Sequence, residues 1–319
     1  MKVAQFLAAL AMLAATSAAA EQYPTKPVKI LVAFTAGGTT DVMARMLAQR
    51  LSERLKQPFV IDNRPGAGGN LGTEMAVRAA PDGYTLLVNT VGPMAVNPSL
   101  YKNLPYNPLT DLAPIAQISD VPNVLVVHPS LRVADLEGFV AYAKSHQGEL
   151  NYGSTGIGTS AHLSSFIFAS RAGFAATHIP YKGAEALKDL LAGRLQFMFA
   201  TIPSVIAHIR AGSLVAIAVS STKRSRSLPD VPTVSESGFP GFEAGSWTAL
   251  FAPRGTPHEI VALLNKITNE FISDKVVEAR MIDEGGDPVG GSPEKLGAFV
   301  RSEYEKWKIA VRESGALVE

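Results

Sequence analysis

The sequence predicts an α/β protein built on parallel, doubly wound β-sheets, and three observations support this fold class. First, an apolar, β-branched run at 28–33 is followed by Gly37, Gly38 and a strongly patterned helix. Second, strands and helices then alternate as β-α-β-α-β, the order that produces a parallel sheet. Third, strand, glycine loop and helix start recur at 150–167, in what reads as a second half of the chain.

The opening unit joins a buried strand to a helix start. The run at 28–33 suits a strand that is buried on both faces. Gly37 and Gly38 permit a positive φ and a close approach of backbone to a ligand, and the residues from Thr39 to Asp41 suit a helix cap or first turn. The following helix carries an i, i+4 apolar stripe of Met43, Leu47, Leu51 and Leu55.

This helix start predicts an anion-binding site. Unpaired amide N–H groups and the positive end of the helix dipole both point into the loop. The loop offers no nucleophile with a base beside it, so binding is favoured over chemistry. A tight strand-to-helix turn without a ligand would use the same two glycines, and that alternative stays open on this stretch alone.

The remaining elements follow in order along the chain. A glycine-rich loop is expected at 62–70, an irregular connection at 97–112 and a crossover between domains at 228–245. The expected strands are 59–61, 85–89, 125–127, 150–152, 197–199, 214–219 and 247–251. Helices are expected at 71–80, 135–145, 185–192 and 203–210. Three more are expected: one that carries Leu163, Phe166 and Ile167, a capping-box helix after Thr256, and one that begins at Ser292.

The first twenty residues (1–20) read as a secretory signal peptide. Lys2 is the charged n-region, residues 6–15 form the apolar h-region, and small residues lead to a cleavage site after Ala20. We expect a mature chain that begins at Glu21 and lies outside the cytoplasm.

Composition excludes several classes of protein. The absence of cysteine removes disulfides, thiol catalysis, thiolate metal sites and lipid attachment through an N-terminal cysteine. Without Lys2 the chain has 28 basic residues against 28 acidic ones, so it has no electrostatic reason to bind nucleic acid or an anionic membrane. The basic cluster at 223–226 reads as a solvated loop.

Three apparent motifs fail on inspection. The G-x-G-x-x-A pattern at 156–161 follows a strand but lacks the acidic residue that would hold a ribose about 20 positions later. The S-x-x-K pattern at 220–223 lies at a strand end and has no companion motifs. The six histidines never fall at H-x-x-x-H spacing, so no local metal site is indicated; His162 could contact a ligand or be a polar first-turn residue.

Six separated motifs occur in one order over nearly the whole mature chain. They are Phe34 to Asp41 with Ala44-Arg45, Asp62 to Asn70, Pro81 to Leu86, Asn151 to Ser154, Pro180 to Gly183, and Leu228 to Thr233. With them the sequence resembles the Bug family of extracytoplasmic solute receptors, the substrate-binding components of tripartite tricarboxylate transporters.

The resemblance implies a two-lobed periplasmic-binding-protein fold of type II-like architecture, with a ligand cleft between the lobes. Lobe 1 is expected to comprise 21–124 and 245–319, and lobe 2 to comprise 125–244. The implied protein is periplasmic, has no cofactor, binds a small carboxylate and meets membrane permease subunits. We expect a monomer, since neither lobe shows a surplus apolar helix face.

The implied ligand contacts come from both lobes. In lobe 1 they are Phe34, Ala36, Gly37, Gly38 and Asp41, with Thr90 chosen by its position at a strand exit. In lobe 2 they are Ser154, Gly156, Thr159, Tyr181, Lys182 and Gly183. Weaker candidates are Thr35, Thr40, His162, Ala200 and Trp247.

Two departures from the family pattern bear on the ligand. The family commonly has proline where this chain has Thr35, which could donate a hydroxyl to the cleft or face solvent. Many members carry an acidic residue where this chain has Ala200, which argues for a mono- or dicarboxylate without an amine. Asp41 either holds the loop from behind or accepts a bond from a ligand hydroxyl or ammonium group, and the helix dipole favours the first role.

The residues leave competing functions open. A transport receptor and a sensor that presents its closed form to a signalling kinase would use the same cleft. An organic-acid hydrolase or isomerase lacks a motif that unites nucleophile, base and orienting group. A binder without a permease is also compatible with the sequence.

Overall fold

Two mixed β-sheets flanked by helices organise the computed structural model, which describes residues 23–182 and 185–314. The predicted signal peptide with its cleavage after Ala20, the mature start at Glu21, and Gly183 lie outside the described residues. Within those described ranges, no helix combines the length and apolar character needed to cross a membrane.

The strands are β1 Val28–Val32, β2 Phe59–Asn63, β3 Thr85–Thr90, β4 Leu112–Val121, β5 Asn123–Val127, β6 Leu150–Ser154, β7 Ala176–Pro180, β8 Phe197–Thr201, β9 Val215–Val219, β10 Ser246–Pro253 and β11 Asp287–Pro288. The helices are α1 Thr39–Leu55, α2 Asn70–Val77, α3 Asn97–Leu100, α4 Leu136–Ser145, α5 Ser160–Ala172, α6 Glu185–Leu191, α7 Ile202–Arg210, α8 His258–Ile272, α9 Lys275–Asp283 and α10 Pro293–Ser314. Short 3₁₀ turns at Ala67–Gly69 and Pro129–Leu131 and a π turn at Gly92–Val96 connect them.

The first sheet has the order β11-β4-β10-β3-β1-β2. β1 pairs in parallel with β2 and β3, which confirms the predicted β-α-β-α-β unit. β10 returns late in the chain and pairs antiparallel with β3 and β4. Neither this insertion, nor β4, nor α9 was predicted; the pairing of β10 with β3 and β4 joins segments far apart in sequence and leaves no local pattern.

The second sheet has the order β7-β6-β8-β5-β9 and repeats the same plan. β6 pairs in parallel with β7 and β8, while β5 pairs antiparallel with β8 and β9. Each sheet therefore has a parallel part followed by a glycine loop, and an antiparallel strand, β10 or β5, that begins after a crossing of the chain; β11 adds a second antiparallel strand at the edge of the first sheet.

The chain crosses between the sheets at Pro122, which separates β4 from β5, and at 220–245, which separates β9 from β10. The first sheet thus uses segments within 28–121 and 246–288, and the second uses segments within 123–219. The lobe boundaries given above, 124/125 and 244/245, lie near these crossings and stay a prediction.

Buried apolar faces support both sheets. The predicted stripe on α1 is confirmed for Met43, Leu47 and Leu51, which are essentially without exposed surface. In the second lobe an aromatic cluster packs around Phe139 and Phe168. The predicted capping box before α8 is wrong: the Thr256 hydroxyl donates to the Pro253 carbonyl at 2.8 Å, and Pro257 occupies the cap position.

Candidate functional site

The first binding loop joins β1 to α1 through residues 33–38. Ala36 and Gly37 are exposed, and Gly37 has φ +80°. A Cβ atom on Gly37 would meet no atom within 4 Å, so backbone conformation, rather than space, requires glycine there. Thr35 is exposed as well, and Phe34 is partly buried with its ring against Gly69.

Asp41 holds this loop from behind. Its Oδ2 accepts the Gly37 N–H at 2.9 Å and the Arg45 Nε–H at 2.8 Å, and its Oδ1 accepts from Asn63 Nδ2 at 2.9 Å. Burial would raise the pKa of Asp41, but the hydrogen bonds from Arg45, Gly37 and Asn63 outweigh it and hold the pKa below its usual value. Both carboxylate oxygens are occupied within the protein, which favours the first of the two predicted roles.

Helix α1 begins without a side-chain cap. Gly38 is the cap residue, and within the described chain no side chain accepts the first-turn amides. The first backbone bond of the helix is from the Val42 N–H to the Gly38 carbonyl at 3.0 Å. The N–H groups of Thr39, Thr40 and Asp41 therefore remain as donors at the positive end of the helix dipole.

The neighbouring loops of lobe 1 are tied together by buried amides. Asn97 Nδ2 donates to Asn70 Oδ1 at 2.6 Å and to the Gly68 carbonyl at 3.1 Å. The Tyr106 hydroxyl donates to Asn70 Oδ1 at 2.8 Å. Thr90, at the exit of β3, is 8% exposed and has its hydroxyl 2.6 Å from that of Ser246. The bonds of Asn97 and Tyr106 join the glycine loop at 67–70 to the segment at 93–97.

The second binding loop, residues 154–159, joins β6 to α5. Ser154 is buried, and its Oγ accepts the Gly156 N–H at 3.2 Å. Thr159 caps α5: its Oγ1 accepts the His162 N–H at 3.4 Å and donates to the Gly156 carbonyl at 2.8 Å. The α5 start thus has one of its amides satisfied by the protein, whereas the α1 start has none satisfied by a side chain.

Two stacked histidines lie behind the second loop. His162, from α5, stacks on His178, from β7, with ring centroids 4.0 Å apart and planes at 18°. His162 Nδ1 accepts the Gly158 N–H at 3.3 Å, and His178 Nε2 lies 2.7 Å from Ser154 Oγ. Burial lowers the pKa of His162 to about 4; burial, and then the neighbouring His162, lower that of His178 to about 3.

Tyr181 and Lys182 follow β7 beside this loop. The Tyr181 N–H donates to the Ser154 carbonyl at 3.0 Å, and the Tyr181 hydroxyl donates to Asp189 Oδ2 at 2.7 Å. Lys182 is exposed. The Tyr181 side chain is therefore engaged within lobe 2, and its backbone lies next to Gly156.

The two lobes meet at several points around the cleft. The Thr39 hydroxyl lies 3.0 Å from the Thr201 hydroxyl, and Arg226 of lobe 2 donates to Glu278 of lobe 1 through both terminal nitrogens at 3.1 Å. Gly158 packs so closely against Leu100 that an added Cβ atom would overlap Leu100 Cδ2. These contacts join the lobes at the start of α1 and at the loop that precedes α5.

Ala200 and Trp247 are placed in packed cores. Ala200 is 1% exposed and belongs to an apolar cluster with Val124 and Val205. Trp247 is 2% exposed and donates its indole N–H to Glu303 Oε2 at 3.0 Å. The next residue after Ala200, Thr201, is the one whose side chain meets the other lobe.

Sequence reasoning missed four of the residues that shape this site. Thr39 was noted only as a cap, and Thr201, Asn97 and His178 were not selected. Thr201 follows a strand and begins a helix, so the strand-exit argument used for Thr90 would have found it. For His178, no local pattern indicates the stack with His162.

Comparison with known proteins identifies the family. The profile described as "Tripartite tricarboxylate transporter family receptor" matches residues 43–316. Protein BugT of Bordetella pertussis is 40% identical over 326 residues, covering 100% of both chains. A structure titled "R. palustris Rpa4515 with adipate" superposes with a TM-score of 0.89 at 38% identity, covering 93% of this chain and 100% of that one.

A further solved structure, MatC from Rhodopseudomonas palustris with bound malate, has a TM-score of 0.84 at 33% identity and covers 91% of this chain and 100% of its own. The predicted two-lobed periplasmic-binding-protein fold and the predicted resemblance are thereby confirmed. The relatives are receptors, which is consistent with the expectation of a protein that is not an enzyme. The chain belongs to the tripartite tricarboxylate transporter receptor family, together with Bug-named periplasmic solute-binding receptors.

Proposed function

We propose that this receptor captures a small organic carboxylate without an amine in the cleft between its lobes and delivers it to the permease of a tripartite tricarboxylate transporter. The observation that carries the proposal is the uncapped start of α1, which faces lobe 2 through the Thr39–Thr201 contact. Its free N–H groups and the helix dipole are suited to an anionic oxygen. The ligand carboxylate would supply the acceptor that the chain itself does not.

The charges of the cleft favour a ligand without an ammonium group. Within residues 34–41 and 154–162 the one carboxylate is that of Asp41, and donors from the protein occupy both of its oxygens. An ammonium group placed there would lose its hydration without gaining an anionic partner. The apolar surroundings of Ala200 supply no carboxylate either.

Two relatives point to the same chemistry. The titles of their structures name adipate for Rpa4515 and malate for MatC, and both compounds are dicarboxylates. We extend only the class to this chain, so that mono- and dicarboxylates, aliphatic or aromatic, are the candidates. The proposed contacts are Phe34, Ala36, Gly37, Gly38, Thr90, Ser154, Gly156, Thr159, Tyr181, Lys182 and Gly183, with Thr35, Thr40 and the hydroxyls of Thr39 and Thr201 beside them.

The proposal is tested first by a thermal-shift screen against carboxylates, amino acids and sugars, followed by calorimetry. A ligand at 100 times its Kd stabilises a protein by about 2.7 kcal/mol, which moves the unfolding midpoint by a few degrees at this chain length. We expect shifts with plain carboxylates only. Stoichiometric binding of an amino acid with no response to plain carboxylates would overturn the proposed ligand class.

A matched pair of variants locates the site. Ala36→Glu adds a negative charge to the exposed first loop, whereas Ala175→Glu adds the same charge to an exposed loop between α5 and β7. The first should abolish the shift through repulsion of the anion, and the second should preserve it. Equal binding by both variants would place the ligand elsewhere.

Delivery to the permease is tested in cells. Deletion of the gene should abolish uptake of the radiolabelled acid identified in the screen, and the plasmid-borne gene should restore it. Unchanged uptake, with loss of ligand-dependent induction of the uptake genes instead, would favour the sensor function.

A further inference from the structure

Both binding loops are held by the same local arrangement. In lobe 1 the Gly37 N–H donates to Asp41 Oδ2 at 2.9 Å, and in lobe 2 the Gly158 N–H donates to His162 Nδ1 at 3.3 Å. Asp41 is the third residue of α1, and His162 is the third residue of α5. In each lobe, therefore, a side chain in the first helical turn accepts the N–H of a glycine four residues earlier.

We propose that His162, with His178 stacked on it, is a positioning residue that holds the lobe-2 loop in its ligand-binding conformation through an unprotonated Nδ1. This inference rests on the proposed function of the cleft. His162 is 7% exposed and lies behind the loop, so it acts on the ligand through Gly158 and its neighbours.

The arrangement requires a neutral imidazole. Nδ1 can accept the Gly158 N–H only while it carries no proton, so the proton of the neutral ring belongs on Nε2. The rings of His162 and His178 lie 4.0 Å apart, so a positive charge on one ring makes a positive charge on the other unfavourable. Tyr152 from β6 lies beside the pair, with its ring centroid 5.0 Å from that of His178 and 6.4 Å from that of His162.

No carboxylate opposes this preference for the neutral form. Among the described residues, burial lowers the pKa of both imidazoles, and the neighbouring His162 lowers that of His178 further. Neither α10 nor β8, which also pack on α5, brings a charged group to them. The pair is thus built to stay uncharged.

His178 extends the support to the other end of the loop. Its Nε2 lies 2.7 Å from Ser154 Oγ, which also accepts the Gly156 N–H. Gly156 and Gly158 have φ of +138° and +79°. The loop is therefore tied at both of its positive-φ glycines, one through each histidine.

The two lobes differ in the acceptor they use. Asp41 is an anion whose charge is balanced by Arg45, and it still accepts at acidic pH because its pKa is held low. The His162 acceptor is lost once the ring is protonated. Acid should therefore release the loop of lobe 2 while the loop of lobe 1 remains held.

The first test needs no ligand, so it is independent of the proposed function. ¹⁵N NMR of the imidazoles in the purified protein should show His162 as the Nε2–H tautomer at pH 7, with slow exchange of the Gly158 amide hydrogen. An Nδ1–H tautomer, or a His162 that titrates near pH 6.5, would overturn the proposal.

The second test uses adipate as the calorimetric probe. His162→Leu removes the acceptor and keeps the ring position apolar, so we expect about a tenfold loss of affinity at pH 7.5. His162→Asn replaces Nδ1 by an amide oxygen that cannot be protonated in this range, and it should recover most of that loss. Between pH 5 and pH 4 the affinity of His162→Asn should fall less than that of the wild type, a comparison in which the protonation of adipate itself cancels. His146→Leu, at the end of α4, is the control and should bind as the wild type does.

The outcomes separate the two proposals. Wild-type protein that fails to bind adipate counts against adipate as a ligand, and the NMR result still decides the role of His162. Equal affinity of His162→Leu and wild type, or a loss in His162→Asn as large as that in His162→Leu, would contradict positioning by Nδ1.

Discussion

The hydroxyl oxygens of Thr39 and Thr201 lie 3.0 Å apart, so that one hydrogen bond joins the first turn of α1 in lobe 1 to the end of β8 in lobe 2. Both residues are partly buried. The bond lies at the helix start whose amides have no side-chain cap. If the proposed anion binds at this helix start, its capture and the contact between the lobes would be coupled at one place.

Removal of this bond should weaken ligand binding. Thr39→Val and Thr201→Val keep the volume of the side chain and remove the hydroxyl, and each should lower affinity by about 2- to 12-fold. Because both residues serve one bond, the double variant should lose little more than either single variant. Calorimetry checks this, with Thr39→Ser as the control that keeps the hydroxyl; independent, additive losses would contradict a shared bond.

Asp41→Asn should affect stability more than binding. One of the three donors, Gly37, Arg45 or Asn63, would face an NH₂ group in place of an oxygen, and we expect a loss of about 1–3 kcal/mol in the free energy of unfolding. Affinity should fall by less than about threefold, because the loop is supported by its remaining bonds. Denaturation and calorimetry on the same samples test this; a far larger loss of affinity at unchanged stability would indicate a direct bond to the ligand.

The acid behaviour of Asp41 has a defined sign. Its pKa is lower in the folded than in the unfolded chain, so its contribution to stability is complete above its unfolded pKa and is lost as pH falls through the folded pKa. Asp41→Asn has no carboxyl group to titrate at this position, so the fall in the free energy of unfolding that Asp41 causes below about pH 4 should be absent in this variant.

Gly158→Ala should prevent the close contact between the lobes. Gly158 has φ +79°, and an added Cβ would overlap Leu100 Cδ2 and approach Asn97 Oδ1 to 2.9 Å. Gly212→Ala is the matched control, since Gly212 has φ +70° but no atom within 4 Å of the added Cβ. Both should lose about 1–2 kcal/mol of stability from backbone strain, while only Gly158→Ala should lose affinity by tenfold or more, on the order of 1.4 kcal/mol. Small-angle scattering with and without ligand would report whether closure fails.

The buried histidine pair should make the protein less stable in acid. His162 and His178 have folded pKa values of about 4 and about 3, below the value of about 6.5 for an unfolded chain. The unfolded state therefore binds more protons below pH 6.5, and each histidine should lower the free energy of unfolding by about 1.4 kcal/mol per pH unit down to its folded pKa. His162→Asn should halve this slope in urea denaturation between pH 6 and pH 4.5; an unchanged slope would show that other groups cause it.

Glu303 should be important for the junction between β10 and α10. Its Oε2 accepts both indole N–H groups of the protein, from Trp247 and Trp307, at 3.0 Å each, and Lys306 pairs with the same carboxylate. Glu303→Leu should cost about 3–5 kcal/mol and change the tryptophan emission, since two buried donors and a cation lose their partner. Glu305→Leu, on the same helix but exposed, should change stability by less than about 0.5 kcal/mol.

The local sequence was sufficient to predict the framework of the site. The β-branched run before Gly37, the i, i+4 stripe on α1 and the second glycine loop before α5 depend on neighbouring residues, and the structure confirms each of them. Two helix starts at the ends of parallel strands follow from such local patterns, because backbone geometry sets the direction of the free amides.

Tertiary structure decided what each site residue does. Both oxygens of Asp41 are occupied because Asn63 of β2 reaches it, and the pKa of His162 is lowered because the fold buries its ring, against which β7 places His178. Thr201 meets Thr39 because the chain crosses between the two sheets before β5 and again before β10, which brings the two lobes together. These contacts join residues that are distant in the sequence, so burial and hydrogen-bond geometry, which no local pattern encodes, determine whether a candidate side chain meets the ligand or supports the loop that does.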